Sequence, residues 1–379
     1  MSAYSKCFLF ILSFIPMIAP AQPAHTDNLF QWKQLARLPE AEGLAGAYAG
    51  VSNGALIVAG GTNFPGNKRP WTNGTKTWYD KVYVLEQEGG NWKKAGTLPR
   101  PLGYGVALTC KDGLLCVGGG DAKENYATAF ILKWTGGKLQ TEPLPDMPAP
   151  LINACGAVMQ NKVYIAGGIQ TPTGLTGNNF WCLDLSLPAA RRKWEVLPPL
   201  PGPSRMLAMA GAADGHVSVF GGVHLVVSPP DTAAHREYLQ DSWQYTPGKG
   251  WKQLASMPYP LAAAPSPAYA PAGGQELFLL GGDDGSYAAR TAELKDAHPG
   301  FRNDILCYHT RNDQWTVAGT IPVDKKPDTV TNPHGSVYAP VTTPLVVWRG
   351  KIILAGGEAR PAVRSSRVLV AEPSREKTR

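Results

Sequence analysis

The feature that most constrains the fold of this 379-residue chain is a short apolar strand ending in Gly-Gly, which occurs six times. The copies are LIVAGG (56–61), LLCVGGG (114–120), VYIAGG (163–168), VSVFGG (217–222), LFLLGG (277–282) and IILAGG (352–357). Each copy follows another apolar segment across a tight turn; residues 107–110, for example, precede Lys111-Asp112-Gly113, whose Asp-Gly pair is typical of a β-hairpin. We interpret each pair of segments as the two inner strands of a repeat.

Most repeats continue with a third apolar strand and then a tryptophan strand that ends in a Leu-Pro-like pair. The third strands are KVYVLE (81–86), FWCLDL (180–185), DSWQY (241–245), DILCYH (304–309) and RVLVAE (367–372). The tryptophan strands run from Trp32 to Pro39, Trp92 to Pro99, Trp194 to Pro201, Trp251 to Pro258 and Trp315 to Pro322, with Trp134 to Pro148 as a looser sixth. Four strands in each of six units predict an all-β protein, a six-bladed β-propeller. The Gly-Gly and Trp signals resemble those of the kelch repeat.

The phase of the repeat predicts how the propeller closes. The chain begins with a tryptophan strand (29–38) that has no inner strands before it, and it ends after a third strand that has no tryptophan strand after it. We therefore expect the N-terminal strand to complete the C-terminal blade (335–372), which removes free sheet edges. No linker-like stretch interrupts the repeats, so residues 28–372 are predicted to form a single domain, followed by a tail at 373–379.

The N-terminal segment predicts export. Lys6 precedes an apolar stretch from Cys7 to Ala19, and Ala19-Pro20-Ala21 is an A-x-A cleavage pattern, so residues 1–21 have the form of a secretory signal peptide. This stretch is too short to span a bilayer and no later segment is long enough, so we expect no membrane span.

Charge and cysteine usage exclude other classes of function. The net charge of +7 is modest and its basic residues are scattered, which disfavours nucleic acid as a partner but is compatible with an anionic small ligand. The five cysteines beyond the signal segment include no C-x-x-C pair, so neither a disulfide framework nor a metal site is expected.

The Gly-Gly pairs also predict where a site would lie. Because neighbouring strands are antiparallel, the residues after each Gly-Gly gather at one mouth of the central channel. This set comprises Thr62-Asn63-Phe64, Asp121, Ile169, Val223-His224, Asp283-Asp284 and Glu358. The long connections 62–80, 223–240 and 283–302 rise from the same face, as does Arg205 at the start of another repeat, and loops of such length usually serve a site or a lid.

The last Gly-Gly pair leads into GGEARPAVR (356–364), which places Glu358 and Arg364 on one short loop at this mouth. A partly desolvated carboxylate is suited to act as a general base, and a guanidinium can hold a substrate carboxylate through two hydrogen bonds. From spacing alone, a plain ion pair is the favoured interpretation.

The segment GGEARPAVRSSRVLV (356–370) resembles the corresponding part of the bacterial N-acetylneuraminate mutarotases, also called epimerases, which are kelch-type propellers. Further similar stretches are GLAGAYAGVSNGALIVAGGTNF (43–64), TNGTKTWYDKVYVL (72–85), GYGVAL (103–108), GPSRMLAMAGAADGHVSVFGG (202–222) and DGSYAARTAELKDAHPGF (284–301). The order of the blades differs from the better-known form and resembles a cyclically permuted group. Leu102 is a further departure, since the family has an arginine there.

The resemblance implies a mutarotase that interconverts sialic acid anomers in the periplasm, without a cofactor or metal. Glu358 would accept the proton of the anomeric hydroxyl, while an acid protonates the ring oxygen. Arg364 would hold the substrate carboxylate with Arg205, and position and resemblance suggest Asn63, Tyr104 and His224 as further substrate contacts. Monomer and homodimer both stay open.

Six-bladed and kelch-type propellers also include proteins with other classes of function. A kelch propeller is often a non-catalytic platform that binds a protein or a sugar acid. A sialidase is also a six-bladed propeller, but its Ser-x-Asp-x-Gly-x-x-Trp turn is absent from this sequence. A kelch-type copper oxidase needs histidine ligands around the axis, whereas of the seven histidines only His224 falls clearly at the mouth.

Overall fold

The computed structural model describes residues 28–228, 233–329, 331–332 and 334–374. The predicted signal segment at 1–21 and most of the predicted tail lie outside the described residues.

Six sheets form the six blades predicted from the sequence, five with four strands and one with three. Blade 1 consists of Tyr48–Ser52, Ala55–Ala59, Lys81–Leu85 and Lys93–Thr97, and blade 2 of Val106–Cys110, Gly113–Val117, Ala129–Thr135 and Lys138–Leu144. Blade 3 consists of Cys155–Met159, Lys162–Ala166, Phe180–Asp184 and Trp194–Val196, and blade 4 of Met209–Ala213, His216–Val226, His235–Thr246 and Gly250–Leu254. Blade 5 consists of Glu276–Gly282, Arg302–His309 and Gln314–Thr320, and blade 6 of Leu345–Trp348, Lys351–Ala355, Val368–Pro373 and Phe30–Leu35.

The remaining regular elements are short and lie in the connections. Two small hairpins pair Thr62–Asn63 with Thr77–Trp78 and Glu358–Arg360 with Val363–Arg364. One α-helical turn spans Thr291–Leu294, and 3₁₀ turns span Pro65–Asn67, Pro70–Thr72, Ala189–Arg191, Ala288–Arg290 and Lys295–Ala297. No helix in the described part of the chain is long and apolar enough to cross a membrane.

Blade 5 departs from the expectation that every Gly-Gly strand follows another regular strand. The segment before Glu276 contains Pro265, Pro267 and Pro271, and only a single bridge joins Tyr269 to Phe278. Proline has no backbone N–H to donate to a sheet, so this inner segment lies beside its neighbour without forming a continuous ladder.

The predicted closure is confirmed. Phe30–Leu35 pairs antiparallel with Val368–Pro373, with Trp32 opposite Ala371. The N-terminal strand is therefore the outermost strand of blade 6, and both ends of the described chain are held in one sheet.

Alternate side chains of each inner strand enter different interfaces between blades. In blade 1, Ile57 packs with Leu114 of blade 2, whereas its neighbour Leu56 packs with Val346 of blade 6. Both faces are buried, which explains why the inner strands are continuously apolar rather than alternating. Burial of one such side chain stabilises the fold by about 1.5–3 kcal/mol.

The outermost tryptophans link successive blades. The indole N–H of Trp92, Trp194, Trp251 and Trp315 donates a hydrogen bond of 2.9–3.0 Å to a backbone carbonyl of the preceding blade, respectively at Ala36, Pro145, Pro198 and Ala255. The assignment of Trp134 to the outermost strand of blade 2 was wrong: it lies on the third strand, Ala129–Thr135, and donates to the Glu86 carboxylate.

A closed circle of backbone hydrogen bonds surrounds the axis, and we call it the axial ring. It contains one residue from the start of each repeat: Gly46, Tyr104, Asn153, Leu207, Ala263 and Thr342. The N–H of each donates to the carbonyl of the previous member over 2.7–2.9 Å, and Gly46 donates to Thr342. All six have left-handed backbone angles, with φ between 50° and 63°.

Candidate functional site

A cavity of about 680 Å³ opens at the mouth of the channel, and we call it the mouth pocket. Its floor is formed by five members of the axial ring, all except Gly46. Its walls come from connections 62–80, 223–240 and 283–302 and from the hairpin at 358–364, as the direction of the strands predicted. A cavity of this size accommodates a small ligand.

Gly356 and Gly357 bring the chain to this pocket. Gly356 has a φ of +79°, and a Cβ atom there would lie 2.6 Å from the carbonyl oxygen of Leu44. Gly357 donates its N–H to the same oxygen over 2.7 Å. Only glycine permits this approach between the last and first repeats, and the chain then enters the pocket at Glu358.

The hairpin that follows fixes the Glu358 carboxylate. The backbone of Glu358 forms two hydrogen bonds with Val341, next to the axial ring, and its side-chain Oε1 accepts the N–H of Ala362 over 2.7 Å. Ala362 adopts a left-handed φ of 61° at the turn, which directs its N–H back to the carboxylate. The other carboxylate oxygen, Oε2, has no hydrogen-bond partner among the described residues.

Arg364 lies directly across the hairpin from Glu358. Its Nη1 is 2.8 Å from Glu358 Oε1, and its guanidinium lies over the ring of Phe64. The arginine is only 4% exposed, and its Nε has no hydrogen-bond partner among the residues described. Burial by itself lowers the pKa of Arg364, but the Glu358 carboxylate and the Tyr104 hydroxyl together outweigh it, and the net pKa is raised. A permanent cation with an unpartnered donor therefore stands beside the carboxylate.

Tyr104 joins this pair from the floor of the pocket. Its hydroxyl lies 2.9 Å from Thr62 Oγ1, and Arg364 Nη2 approaches it at 3.4 Å. The structure thus places three of the predicted site residues, Glu358, Arg364 and Tyr104, together on one side of the pocket.

The structure does not place the other three predicted contacts in the mouth pocket. Arg205 is fully buried and forms two 2.8 Å hydrogen bonds to the Asp241 carboxylate, so its guanidinium braces blade 4 instead of facing a ligand. Asn63 is 1% exposed, and its amide bonds to the Gly43 carbonyl and the Tyr79 hydroxyl. His224 Nδ1 lies 2.8 Å from the Ser204 carbonyl, beside the pocket lining and not within it.

A family model described as N-acetylneuraminate epimerase matches residues 21–141. The N-acetylneuraminate epimerase of Yersinia pestis (strain Pestoides F) is 37% identical over 131 residues, which cover 30% of this chain and 33% of that protein. The protein of the same name from Salmonella enteritidis PT4 is 42% identical over 124 residues, which cover 28% of this chain and 32% of that protein. The resemblance to the N-acetylneuraminate epimerases is confirmed.

The matches span about a third of the length of these curated relatives. The region matched by the epimerase family model contains Tyr104 but neither Glu358 nor Arg364. The assignment of those two residues therefore rests on their local sequence and on their geometry in the pocket.

Several residues that line the pocket were not singled out from sequence. They are Lys76, Trp78, Arg236, Tyr238 and His298. Lys76 Nζ lies 5.2 Å from the centre of the Tyr104 ring and 5.6 Å from that of Trp78, so it adds a second cation near Arg364. Lys76 and Trp78 fall within the stretch 72–85, and His298 within 284–301; both stretches resemble the epimerases, which was the available signal.

Arg360, on the hairpin at 358–364, forms hydrogen bonds to two of the segments around the mouth pocket. Its Nη1 donates to the Asp296 carbonyl and its Nη2 to the Asp328 carboxylate, both over 2.6 Å. The indole of Trp71 bonds to the Asp296 carboxylate over 3.1 Å, which links connections 62–80 and 283–302. The wall of the pocket is therefore tied to the segment that carries Glu358.

One group of side chains among the described residues could hold a metal ion. Glu276, Cys307 and His309 have donor atoms within 4.8 Å of one another on blade 5. They do not line the mouth pocket, and Glu276 begins the strand whose other end reaches the mouth. Both nitrogens of His309 already contact protein oxygens, at Glu276 and Thr316. Contacts within blade 5 therefore explain why these three side chains lie close together.

Proposed function

We propose that this protein is a sialic acid mutarotase, an isomerase that interconverts the α and β anomers of N-acetylneuraminate. The single observation that carries the proposal is the pair formed by Glu358 and Arg364, which lie opposite each other on a hairpin and line the mouth pocket. The kinship with N-acetylneuraminate epimerases supplies the substrate class.

The chemistry is opening and closing of a hemiketal ring. Glu358 Oε2 takes the proton of the anomeric hydroxyl, the electron pair of that O–H bond forms the carbonyl, and the bond between the anomeric carbon and the ring oxygen breaks. The ring oxygen receives a proton, the open keto acid rotates about its C–C bond, and closure on the other carbonyl face gives the second anomer. General acid–base catalysis of this kind accelerates a reaction by about 10²–10⁴-fold.

The cations of the pocket suit the carboxylate of the substrate. Arg364 presents Nη2 and an unpartnered Nε beside Glu358, and Lys76 lies over the Tyr104 ring. A sugar acid held by these groups would bring its anomeric carbon close to Glu358, because the carboxylate and the anomeric hydroxyl are on adjacent atoms of the substrate.

One-dimensional NMR of freshly released α-N-acetylneuraminate, with and without the protein, tests the proposal. We expect Glu358→Gln to retain the fold and ligand binding while losing most of the protein-dependent anomer exchange. His309→Gln, far from the pocket, is the matched control and should exchange at the wild-type rate. Saturable binding of the sugar acid without any catalysed exchange would instead identify a non-catalytic sugar-binding propeller.

We also propose that the protein acts after export to the periplasm, on the strength of residues 1–21. Cell fractionation and N-terminal sequencing of the mature protein would test this, and an intact Met1 on cytoplasmic protein would contradict it.

A further inference from the structure

His298 is a pocket residue whose chemistry the reaction above leaves unused. It lies on connection 283–302, is 4% exposed and lines the mouth pocket. Its ring contacts those of Tyr287 and Phe301, with centroid distances of 5.5 and 5.6 Å. These aromatic contacts pack the imidazole within connection 283–302.

One nitrogen of His298 is committed to the backbone. Nδ1 accepts the N–H of Gly300 over 3.1 Å, so in the neutral ring the proton resides on Nε2. Burial lowers the pKa of His298 below its ordinary 6.5, which favours this neutral form at neutral pH. Nε2–H has no hydrogen-bond partner among the described residues.

The ring shares a pocket and an electrostatic environment with the proposed base. The carboxylates of Glu358 and Asp283 and the cations of Arg360 and Lys325 all act electrostatically on His298. Glu358 and His298 both line the same pocket, and the Glu358 carboxylate is the proposed base. An N–H donor without a hydrogen-bond partner among the described residues therefore lines the same pocket as the proposed base.

We propose that His298 Nε2–H donates the hydrogen bond that stabilises the ring oxygen of the sugar acid as the ring opens, an inference that rests on the proposed function. Glu358 accepts the hydroxyl proton, the electron pair of the broken C–O bond moves to the ring oxygen, and the negative charge that develops there is held by Nε2–H. Both oxygens are attached to the anomeric carbon, so the Glu358 carboxyl group reaches each of them and passes its proton to the ring oxygen. No proton is gained or lost overall.

The other donors of the pocket fit this role less well. Lys76 lies over the rings of Trp78 and Tyr104, and Arg364 contacts the same tyrosine, so both cations suit the substrate carboxylate. The neutral imidazole adds a directed donor without another positive charge, and neutral histidine can stabilise a developing oxyanion in this way.

Two conservative variants separate this role from a structural one. The oxygen of Asn can replace Nδ1 as the acceptor for Gly300, so His298→Asn keeps the backbone contact and loses the donor at Nε2. The amide nitrogen of Gln reaches the position of Nε2, so His298→Gln keeps a donor there. Anomer exchange by NMR, sugar-acid affinity by calorimetry and the thermal midpoint are measured for both, beside wild type, Glu358→Gln and His309→Gln.

We expect His298→Asn to lower the exchange rate by about 10²-fold with affinity within a few-fold of wild type, and His298→Gln to recover a substantial part of the rate. Equal rates for the two variants, whether both are slow or both are fast, would overturn the role of Nε2–H while leaving the mutarotase proposal intact. Absence of exchange in the wild-type protein would overturn both. Unfolding of His298→Asn with full activity of His298→Gln would support the donor role, whereas inactive and folded His298→Gln would contradict it.

Discussion

The backbone N–H of Gly46, in the first blade, donates a 2.8 Å hydrogen bond to the carbonyl of Thr342, in the last. This bond closes the axial ring between the two ends of the chain. Gly46 also leaves space for Tyr104, because a Cβ atom at position 46 would lie 2.6 Å from the Tyr104 ring. The same residue therefore serves ring closure and the position of a pocket side chain.

Gly46→Ala should change the shape of the mouth pocket by displacing the Tyr104 side chain. The methyl group would displace the Tyr104 ring, and overpacking of this kind costs about 1–3 kcal/mol. We expect a lower thermal midpoint and weaker binding of the sugar acid, measured by calorimetry. Gly54→Ala, at a turn with open space around it, is the control for the left-handed backbone angle alone. Equal ligand affinity in the two variants would contradict this prediction.

Tyr104→Phe removes the hydroxyl that lies between Thr62 and Arg364. A hydrogen bond to a charged group contributes about 1.5–3 kcal/mol, but this contact is long at 3.4 Å, so we expect a loss of about 1 kcal/mol in binding of the sugar acid. The ring and its packing stay, so the thermal midpoint should change little. Titration calorimetry checks the affinity; an unchanged dissociation constant would show that Arg364 does not depend on Tyr104.

Arg205→Met should destabilise the protein without a specific effect on the ligand. The substitution leaves the Asp241 carboxylate without its buried partner, and loss of one member of a buried pair costs about 3–5 kcal/mol. Denaturant unfolding measures this cost, and the affinity of the remaining folded protein for the sugar acid should equal that of wild type. If Arg205→Met instead weakened binding of the sugar acid without lowering the stability of the protein, Arg205 would be a substrate contact, as the sequence predicted.

In contrast to Arg205→Met, Arg364→Lys should weaken binding of the sugar acid more than it lowers the stability of the protein. Lysine keeps the charge but loses the planar fork beside Glu358, so we expect the affinity for the sugar acid to fall at least tenfold with a smaller loss of stability. Calorimetry and thermal unfolding on the same sample distinguish the two effects. Affinity within twofold of wild type would contradict a role of this guanidinium in holding the substrate.

Closure of blade 6 should depend on pH and salt. Lys33 and Lys351 each contact the carboxylates of both Glu88 and Glu372, which joins the N-terminal strand, blade 6 and blade 1. Hydrogen bonds from Lys351 and Lys33, respectively, lower the pKa of Glu88 and Glu372 below 4.5. Their stabilisation is therefore present above pH 4.5 and is lost as pH falls through the lower, folded-state values.

The thermal midpoint measured between pH 7 and pH 3 tests this network. We expect Lys33→Met to reduce the acid-dependent loss of stability, and high salt to reduce the difference between the variant and wild type, because these groups are partly exposed. Parallel pH profiles for the two proteins would contradict the prediction.

Sequence predicted the fold well because the decisive signals are local. A glycine pair after an apolar strand marks the axis in each repeat, and the phase of the tryptophan strands predicted the pairing of Phe30–Leu35 with Val368–Pro373. Trp134 was misassigned because a tryptophan alone does not distinguish the third strand of a blade from the fourth. The prolines before Glu276 indicate an irregular inner strand in blade 5, because proline has no N–H to donate to a sheet, but they did not enter the prediction.

The candidate site was predictable where its geometry is local. Glu358 and Arg364 are six positions apart on one hairpin, so sequence alone brought them together. Arg205 was placed at the right end of its strand, but its side chain turns toward Asp241, a partner 36 positions away that no local pattern indicates. His298 lies in a stretch that resembles the epimerases, but its place in the pocket depends on how the whole connection 283–302 folds, so its position in sequence did not identify it as a pocket residue.

The indole links between successive blades lie on the outermost strands, whereas the pocket lies at the axis. Assembly of the disc and recognition of a ligand are thus carried by separate sets of residues at different radii. The loops at the mouth of such a propeller, and with them its chemistry, can therefore change during evolution. The tryptophan hydrogen bonds that join neighbouring blades at the periphery can stay the same.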